Sequence, residues 1–341
     1  MISPDEIQRI WYLIENPSEE SRIPGQILDS VTTPYGPPLL AIDGIQQRHF
    51  LMPIVGQHRF RGDQHSAGIH LLINQWGIDE RQQWYVDLVC LKPHLNDIFD
   101  LIIYDICNDL PQSTAHPVDV CCQVLDQWRE LLSRDNAGLP DQSTMLGLFG
   151  ELYVLRELTH LHPRAIELWV GPRGARHDFS GGLISIEVKS SQQRHGRVVT
   201  IHGIDQLEAP HGGSLYLAIL QVEETPIGGT ALADIVQELN TLGCNRYELL
   251  RRLAQINITQ ETLIAINNTR FRVITTTIYH VDDSFPRITK SNFLSGQLPN
   301  GVVTVDYRID LSLTPPHPLH PEDVMAVYQN IITTFEHTTK M

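Results

Sequence analysis

The stretch from Asp178 to Lys189 constrains the fold of this chain most, because it combines a turn, a strand and three charged side chains. Its sequence is Asp-Phe-Ser-Gly-Gly-Leu-Ile-Ser-Ile-Glu-Val-Lys. Side chains alternate along a strand, so the apolar residues at 184, 186 and 188 share one face, while Glu187 and Lys189 share the other. The Gly-Gly pair predicts a turn before the strand. A hairpin there brings Asp178 back towards Glu187.

Two carboxylates and an amine at one point on a sheet predict a site for phosphodiester hydrolysis. This reaction needs a nucleophilic water and stabilisation of developing charge, which Mg²⁺ held by carboxylates supplies. We expect Asp178 and Glu187 to be metal ligands, with the Val188 carbonyl as a third oxygen. Lys189 would position the attacking water or help to deprotonate it. The alternative is an ordinary half-exposed strand with an ion pair, since Glu-x-Lys is common in strands.

A third acidic residue, Glu151, falls on the apolar stripe of a predicted helix. Leucines at 148, 152, 155 and 158 form this stripe, and helical spacing places Glu151 inside it. A carboxylate on a core face is costly unless it is paired or binds a metal. We expect Glu151 to orient a water or to bind a second ion. The alternative is a glutamate at the stripe's edge that reaches solvent or pairs with an arginine.

The same helix carries further signals at its start. Ser143 or Thr144 is the predicted N-cap. Gly147 and Gly150 each lower helix propensity by roughly 1 kcal/mol, which predicts close packing of the helix against a neighbour.

Downstream, the polar Gln206 is a candidate for contact with the substrate or with a metal-bound water.

Charge bears on the substrate. The net charge of −15 counts against a general nucleic-acid coat protein, but five basic and two acidic residues lie between 170 and 203. The residues that flank the predicted site, and that we expect to contact the backbone phosphates of a nucleic-acid substrate, are Arg173, Arg176, Ser190, Arg194 and Arg197. Scattered charge on a solvated surface is the alternative.

Composition and cysteine usage exclude several classes. With 42% hydrophobic and 19% charged residues in 341, this is the composition of a soluble globular protein of two or three domains. There is no apolar run of membrane-spanning length and no signal-peptide pattern. Five cysteines without a CxxC pair argue against a disulfide framework and a zinc ribbon. A cytoplasmic protein without a membrane partner is expected.

The pattern of apolar runs predicts an α/β chain, α+β overall, in three regions. Residues 1–135 predict a small N-terminal α+β accessory domain, and 134–142 a linker. Residues 141–225 read as helix, strand, strand, strand, short helix, strand, which predicts a mixed central sheet with a helix against it. Residues 226–341 predict two helices, a strand pair formed by 271–281 with 302–313, and a terminal helix. This last region packs on the core or extends it.

The order of these motifs resembles the PD-(D/E)XK nuclease superfamily. The helix with Glu151, then Asp178, then Glu187-Val-Lys189, is similar to the superfamily core over residues 141–225. A closer resemblance, over most of the chain, is to a branch often found near DNA methyltransferases. The segments that carry it are Gly147-Leu-Phe-Gly-Glu-Leu, Trp169-Val-Gly-Pro, His177-Asp-Phe, Ile186-Glu-Val-Lys-Ser and Gln206-Leu. One departure is His177, which stands where the superfamily has proline.

The resemblance implies a restriction-endonuclease-like core and Mg²⁺-dependent cleavage of DNA, with Mn²⁺ expected to substitute. Asp178 and Glu187 are the implied metal ligands and Lys189 the implied catalytic lysine. It also implies a restriction or phage-defence role, a homodimer that cuts both strands, and a methyltransferase or ATPase partner. Two other functions stay open: a non-cleaving DNA-binding or assembly subunit, and a repair nuclease acting on branched or damaged DNA.

Overall fold

The computed structural model describes residues 2, 4–16, 25–55, 60, 63, 68–78, 81–110, 115–132, 139–193, 197–225, 227–293, 296–312 and 316–339. The chain forms two compact units, Met1–Asn136 and Ala137–Met341, called here the N-terminal and C-terminal units. Residues 134–138 of the predicted linker at 134–142 lie outside the described residues. The searched residues contain no helix of the length and apolarity that a membrane crossing requires.

The N-terminal unit is an α+β structure whose described residues form one antiparallel sheet and three α-helices. The strands are β1 (Gly25–Ile27), β2 (Leu39–Ile42), β3 (Arg48–Ile54), β4 (Ile69–Ile78) and β5 (Arg81–Cys90), in the order β1-β2-β3-β5-β4. The helices are α1 (Pro4–Glu15), α2 (Asn96–Asp109) and α3 (Pro117–Leu132). Phe50, Leu88 and Phe99 are fully buried in its core.

A buried carboxylate on β5 organises the polar groups of this sheet. Asp87 is fully buried and accepts hydrogen bonds from Asn74 Nδ2 at 2.9 Å and from Trp76 Nε1 at 3.2 Å. His49 Nδ1 lies 2.8 Å from the same carboxylate. A buried charge requires hydrogen bonds of this kind. The contact with Asp87 therefore accounts for the burial of His49 in the core.

The C-terminal unit is built on a five-stranded mixed sheet and a separate two-stranded ribbon. The described strands of the unit are β6 (Phe179–Ser180), β7 (Ile184–Ser191), β8 (Val198–His202), β9 (Ser214–Glu224), β10 (Thr230–Ala231), β11 (Arg270–His280) and β12 (Asp306–Asp310). Five of them lie in the order β10-β11-β9-β7-β6, and β8 pairs with β12 in a separate ribbon. Strands β7 and β9 are parallel, and the other neighbours are antiparallel. The predicted mixed sheet is confirmed.

Five helices are described in the C-terminal unit: α4 (Gln142–Leu161), α5 (Leu232–Thr241), α6 (Arg246–Gln255), α7 (Gln260–Ala265) and α8 (Pro321–Thr339). Helix α4 packs along β7, against α5 and against α8. Residues 226–341 therefore share the sheet and core of the preceding region, while the predicted three-domain division stays a prediction.

The predicted pairing of 271–281 with 302–313 is wrong. Strand β11 pairs with β9 and β10, and β12 pairs with β8. The apolar run at 215–222, which lies in β9, is buried on both faces, as predicted. Its neighbours in the sheet are β7 and β11. Apolar patterns define which segments are strands, but neighbours that are distant in sequence are chosen by the packing of the whole sheet.

Both faces of β7 are covered by apolar side chains. On one face Ile186 and Val188 pack in the core that contains the α4 leucines. On the other, Leu217 and Ile219 of β9 belong to a second cluster with residues of β8 and β12. Glu187 is opposite Leu217 in the parallel register, so its side chain is directed to the face of this second cluster.

Helix α4 begins two or three residues earlier than predicted. The Asp141 carboxylate caps it by accepting the Thr144 N–H at 2.7 Å. The predicted caps, Ser143 and Thr144, lie inside the helix. Aspartate is as good an N-cap acceptor as serine, so the helix takes the earlier start.

One of the two glycines on α4 permits its close approach to β7. A Cβ atom at Gly150 would lie 2.0 Å from Ser190 Oγ and 3.3 Å from Val188 Cγ1. A Cβ atom at Gly147 would meet nothing within 4 Å. The predicted close packing is confirmed for Gly150 and is wrong for Gly147.

These two glycines generate a stability prediction. We expect Gly150→Ala to lower the free energy of unfolding by about 1–3 kcal/mol, because the new methyl group forces α4 and β7 apart. Denaturant unfolding of the full chain, followed by tryptophan fluorescence, measures the change.

Gly147→Ala is the matched control on the same helix, and we expect it to raise stability by up to about 1 kcal/mol through helix propensity. Adding Ser190→Ala to Gly150→Ala removes the nearest contact and should restore part of the loss. Equal stabilities of the two single variants would contradict the packing argument.

Candidate active site

The β6–β7 hairpin brings Asp178 to Glu187. Phe179 pairs with Ile186, so Asp178 is opposite Glu187 one step further along the register. The Asp178 carboxylate oxygen Oδ2 accepts the Val188 N–H at 2.7 Å. The N–H and C=O of one strand residue point to the same edge, so the Val188 carbonyl faces the Asp178 side. The hairpin predicted from the Gly-Gly turn is confirmed.

Lys189 joins the carboxylate of Glu187 to Gln206. Its Nζ lies 2.9 Å from Glu187 Oε1 and 3.0 Å from Gln206 Oε1. Glu187 is 2% exposed, and the Lys189 side chain is 17% exposed. The backbone N–H of His202 also donates to Gln206 Oε1, at 2.9 Å, and this fixes the amide orientation. The side chains of Glu187, Lys189 and Gln206 are therefore linked by consecutive polar contacts.

Glu151 reaches the same site from α4. It accepts a hydrogen bond from Trp169 Nε1 at 2.7 Å. The two residues after Trp169 are hydrogen-bonded to Asp178, since the N–H groups of Val170 and Gly171 donate to the Asp178 carbonyl at 2.8 and 3.0 Å. A Cβ atom at Gly171 would lie 3.0 Å from Asp178 Oδ1 and 3.2 Å from Glu151 Oε2. Glycine here leaves open the space beside both carboxylates.

Burial and mutual repulsion make these carboxylates reluctant to ionise. Burial, and then the Asp178 charge, raise the pKa of Glu151 to about 8. The same two causes raise the pKa of Glu187 to about 8, against the opposing effect of Lys189. Burial also raises the pKa of Asp178, opposed by the Val188 N–H. A divalent cation between such groups would favour their charged forms.

The oxygen donors suit a hard cation. The described residues contain no group of three or more His, Cys, Asp or Glu side chains arranged to hold a metal ion. Mg²⁺ needs fewer, because it is commonly bound by one or two carboxylates together with waters and substrate phosphates. Asp178 and Glu187, with the Val188 carbonyl, match that donor set, and the open space beside Gly171 fits it.

Comparison with family models identifies the chain. A model described as "Putative PD-(D/E)XK family member (DUF4420)" matches residues 7–312. The chain belongs to this PD-(D/E)XK family. Searches of curated proteins and of solved structures gave no match. The α+β architecture with its mixed sheet is consistent with the restriction-endonuclease-like fold of that superfamily, whose members are generally nucleases.

This PD-(D/E)XK family member has His177 where the superfamily has proline, and the histidine is buried. It is 5% exposed, and its Nε2 has no hydrogen-bond partner among the described residues. Burial, together with the Arg176 charge, lowers the pKa of His177 to about 4, so the ring is neutral near pH 7.

Of the five residues expected to contact DNA, three arginines have described partners. Arg173 pairs with Glu248, and Arg176 lies 3.7 Å from Glu208. Arg197 donates to the Tyr279 hydroxyl at 2.8 Å in a partly buried position. Contacts of these arginines with DNA stay predictions.

The two remaining residues have different outcomes. Arg194 lies outside the described residues. The Ser190 hydroxyl oxygen is buried without a hydrogen-bond partner, against Gly150 of α4. Its contact with DNA stays a prediction.

Sequence reasoning missed the roles of Trp169 and Gly171. Trp169 anchors Glu151, and Gly171 leaves space at the carboxylates. Both lie in the Trp-Val-Gly-Pro segment, which was noted only as part of the resemblance. A buried tryptophan N–H needs an acceptor, and this requirement was the available signal.

The raised pKa values predict a pH-dependent effect of Glu151→Gln in the absence of divalent cations. The pKa of Glu151 is about 8 in the folded protein and near 4.5 when unfolded, so the folded state holds an extra proton between these values. Rising pH through this window therefore costs the wild-type protein stability that the glutamine variant does not lose. The variant's advantage should grow towards pH 8, by up to a few kcal/mol.

Thermal unfolding of both proteins in EDTA from pH 5 to pH 8 measures this difference. Glu157→Gln, which changes a carboxylate paired with Arg156 on the same helix, is the control and should show no such growth. A constant difference between Glu151→Gln and wild type across the range would contradict the prediction.

Proposed function

We propose that this protein is a Mg²⁺-dependent DNA endonuclease of restriction or phage-defence type. The observation that carries the proposal is the placement of Asp178 opposite the Glu187–Lys189 pair, with its carboxylate bound to the intervening Val188 N–H, in the order that gives the family its name. A plain core strand has no need of a buried glutamate beside a lysine, because such charges are costly to bury.

Each residue has a role in the proposed hydrolysis. Asp178 and Glu187 would hold Mg²⁺, with the Val188 carbonyl as a further oxygen. The bound ion would stabilise charge on the phosphate and raise the acidity of water. Lys189, directed by Glu187 and Gln206, would orient the attacking water and favour its deprotonated form. The water oxygen bonds to phosphorus, and the bond to the leaving sugar oxygen breaks as that oxygen gains a proton.

Glu151 would act behind this group. Its carboxylate is held by Trp169 and repelled by Asp178, which suits a group that takes up a proton or binds a second ion. The raised pKa of Glu151 lies near neutral pH, and general acids and bases are most effective when their pKa is close to the working pH.

Plasmid cleavage tests the proposal. We expect the full chain with Mg²⁺ or Mn²⁺ to cut DNA, and Asp178→Asn and Lys189→Ala to lower the rate on the order of 10²–10³-fold, because each removes charge stabilisation or water positioning. A panel of methylated, unmethylated, branched and single-stranded DNA separates restriction from repair.

Two measurements make a negative result informative. Arg164→Ala, which breaks an exposed ion pair with Glu167, is the control for nonspecific loss and should cut normally. Titration of Mg²⁺ into the protein separates an enzyme from a non-cleaving subunit. A wild-type chain that binds DNA without cutting any substrate, and takes up no metal, would falsify the nuclease assignment in favour of the binding subunit.

Gly171→Ala offers an independent test of the metal site. The added methyl group would lie 3.0 Å from Asp178 Oδ1, which crowds the oxygen that faces the open space. We expect Mg²⁺ affinity to fall about tenfold or more, since supporting contacts at metal sites commonly have effects of that size. Calorimetric titration measures it, with Gly147→Ala as the control. Unchanged affinity would show that the cation does not occupy the space beside Gly171.

A further inference from the structure

Two arginines of the C-terminal unit share one carboxylate oxygen. Glu248 on α6 accepts with Oε1 from Arg252 Nε at 2.7 Å, and the same oxygen accepts from Arg173 Nη2. The environments of the arginines differ sharply. Arg252 is 1% exposed, whereas the Arg173 side chain is 46% exposed.

The buried arginine has the stronger need of Glu248. A buried guanidinium without a counter-charge is strongly destabilising. Arg252 Nη1 already lacks a hydrogen-bond partner, so Glu248 is important for its neutralisation. Arg173 can leave the carboxylate at lower cost, because water solvates its half-exposed side chain and exposed ion pairs contribute little.

Arg173 lies beside the proposed catalytic carboxylates. It ends the short 3₁₀ turn Gly171–Arg173, and Gly171 borders Asp178 Oδ1 and Glu151 Oε2. Two residues span at most roughly 7 Å of chain, so an extended arginine side chain here reaches a phosphate near the scissile one. Bidentate binding of phosphate is what guanidinium geometry favours.

We propose that Glu248 is an internal competitor for a DNA phosphate at Arg173 and thereby sets the affinity of the protein for DNA. In the free protein Arg173 is held on α6. When DNA binds, a backbone phosphate replaces the carboxylate as the partner of Arg173, and Glu248 stays with Arg252. The inference rests on the proposed function, since it takes duplex DNA as the ligand.

The direction of the effect separates competition from positioning. If Glu248 held Arg173 in its DNA-binding geometry, removing its charge would weaken binding. If it competes with phosphate, removing its charge strengthens binding, and only while Arg173 is present. Glu248→Gln keeps an oxygen that can accept from Arg252 Nε, so the buried arginine retains a hydrogen bond.

Fluorescence anisotropy with a labelled DNA duplex tests this with the full chain in EDTA, at one fixed salt concentration. Four proteins form the cycle: wild type, Glu248→Gln, Arg173→Ala and the double variant. We expect Glu248→Gln to lower Kd by about two- to five-fold, the worth of one exposed ion pair, and Arg173→Ala to raise it. In the double variant, Glu248→Gln should give no gain over Arg173→Ala alone.

Two further variants control for charge and folding. Glu157→Gln removes one negative charge from the pair with Arg156 on α4 and should leave Kd unchanged. If Glu248→Gln unfolds because Arg252 is left without a counter-charge, Glu248→Gln with Arg252→Met carries the test instead, with Arg252→Met as its reference.

Each outcome decides the matter. Weaker binding by Glu248→Gln, no change, or an equal gain with and without Arg173 overturns the competitor role while DNA binding itself stands. A wild-type chain that binds no duplex DNA overturns the proposed function and this inference together.

Discussion

The hydrogen bond from the Val188 N–H to the Asp178 carboxylate holds the rest of the site in place. It fixes an aspartate at the hairpin edge where Glu187 enters from the next strand. Its geometry depends on the Gly-Gly turn, on the β6–β7 register and on the loop that bonds to the Asp178 carbonyl. The carboxylates are therefore brought together by backbone hydrogen bonds, against their own electrostatic repulsion.

Local patterns in the sequence were sufficient to predict much of this arrangement. Strand alternation placed Glu187 and Lys189 on one face, and helical spacing placed Glu151 on the side of α4 that meets the core. The Gly-Gly turn placed Asp178 opposite Glu187. These inferences use periods of two and 3.6 residues within single segments, which is the information that a sequence encodes most directly.

Non-local contacts were not predictable in the same way. The partner of β11 was predicted incorrectly, because several strands of similar pattern compete for each edge and the whole sheet decides among them. The hydrogen bond of Trp169 to Glu151 and the pairing of Arg173 with Glu248 join segments 18 and 75 residues apart. Side-chain charges reveal that partners are needed, but tertiary packing determines which partners are reached. Even the two glycines of α4 look alike in sequence and differ only in what lies beneath them.

The ion pair of Glu187 and Lys189, on a strand that packs on both faces, has an evolutionary consequence. Aliphatic residues at both positions would suit folding better than this ion pair does, whereas loss of the glutamate alone would leave the lysine without its partner. Drift under selection for folding alone would therefore replace the two residues together. A lineage that keeps both retains them for their chemistry, and descendants that have abandoned the reaction should be recognisable by apolar side chains at both positions.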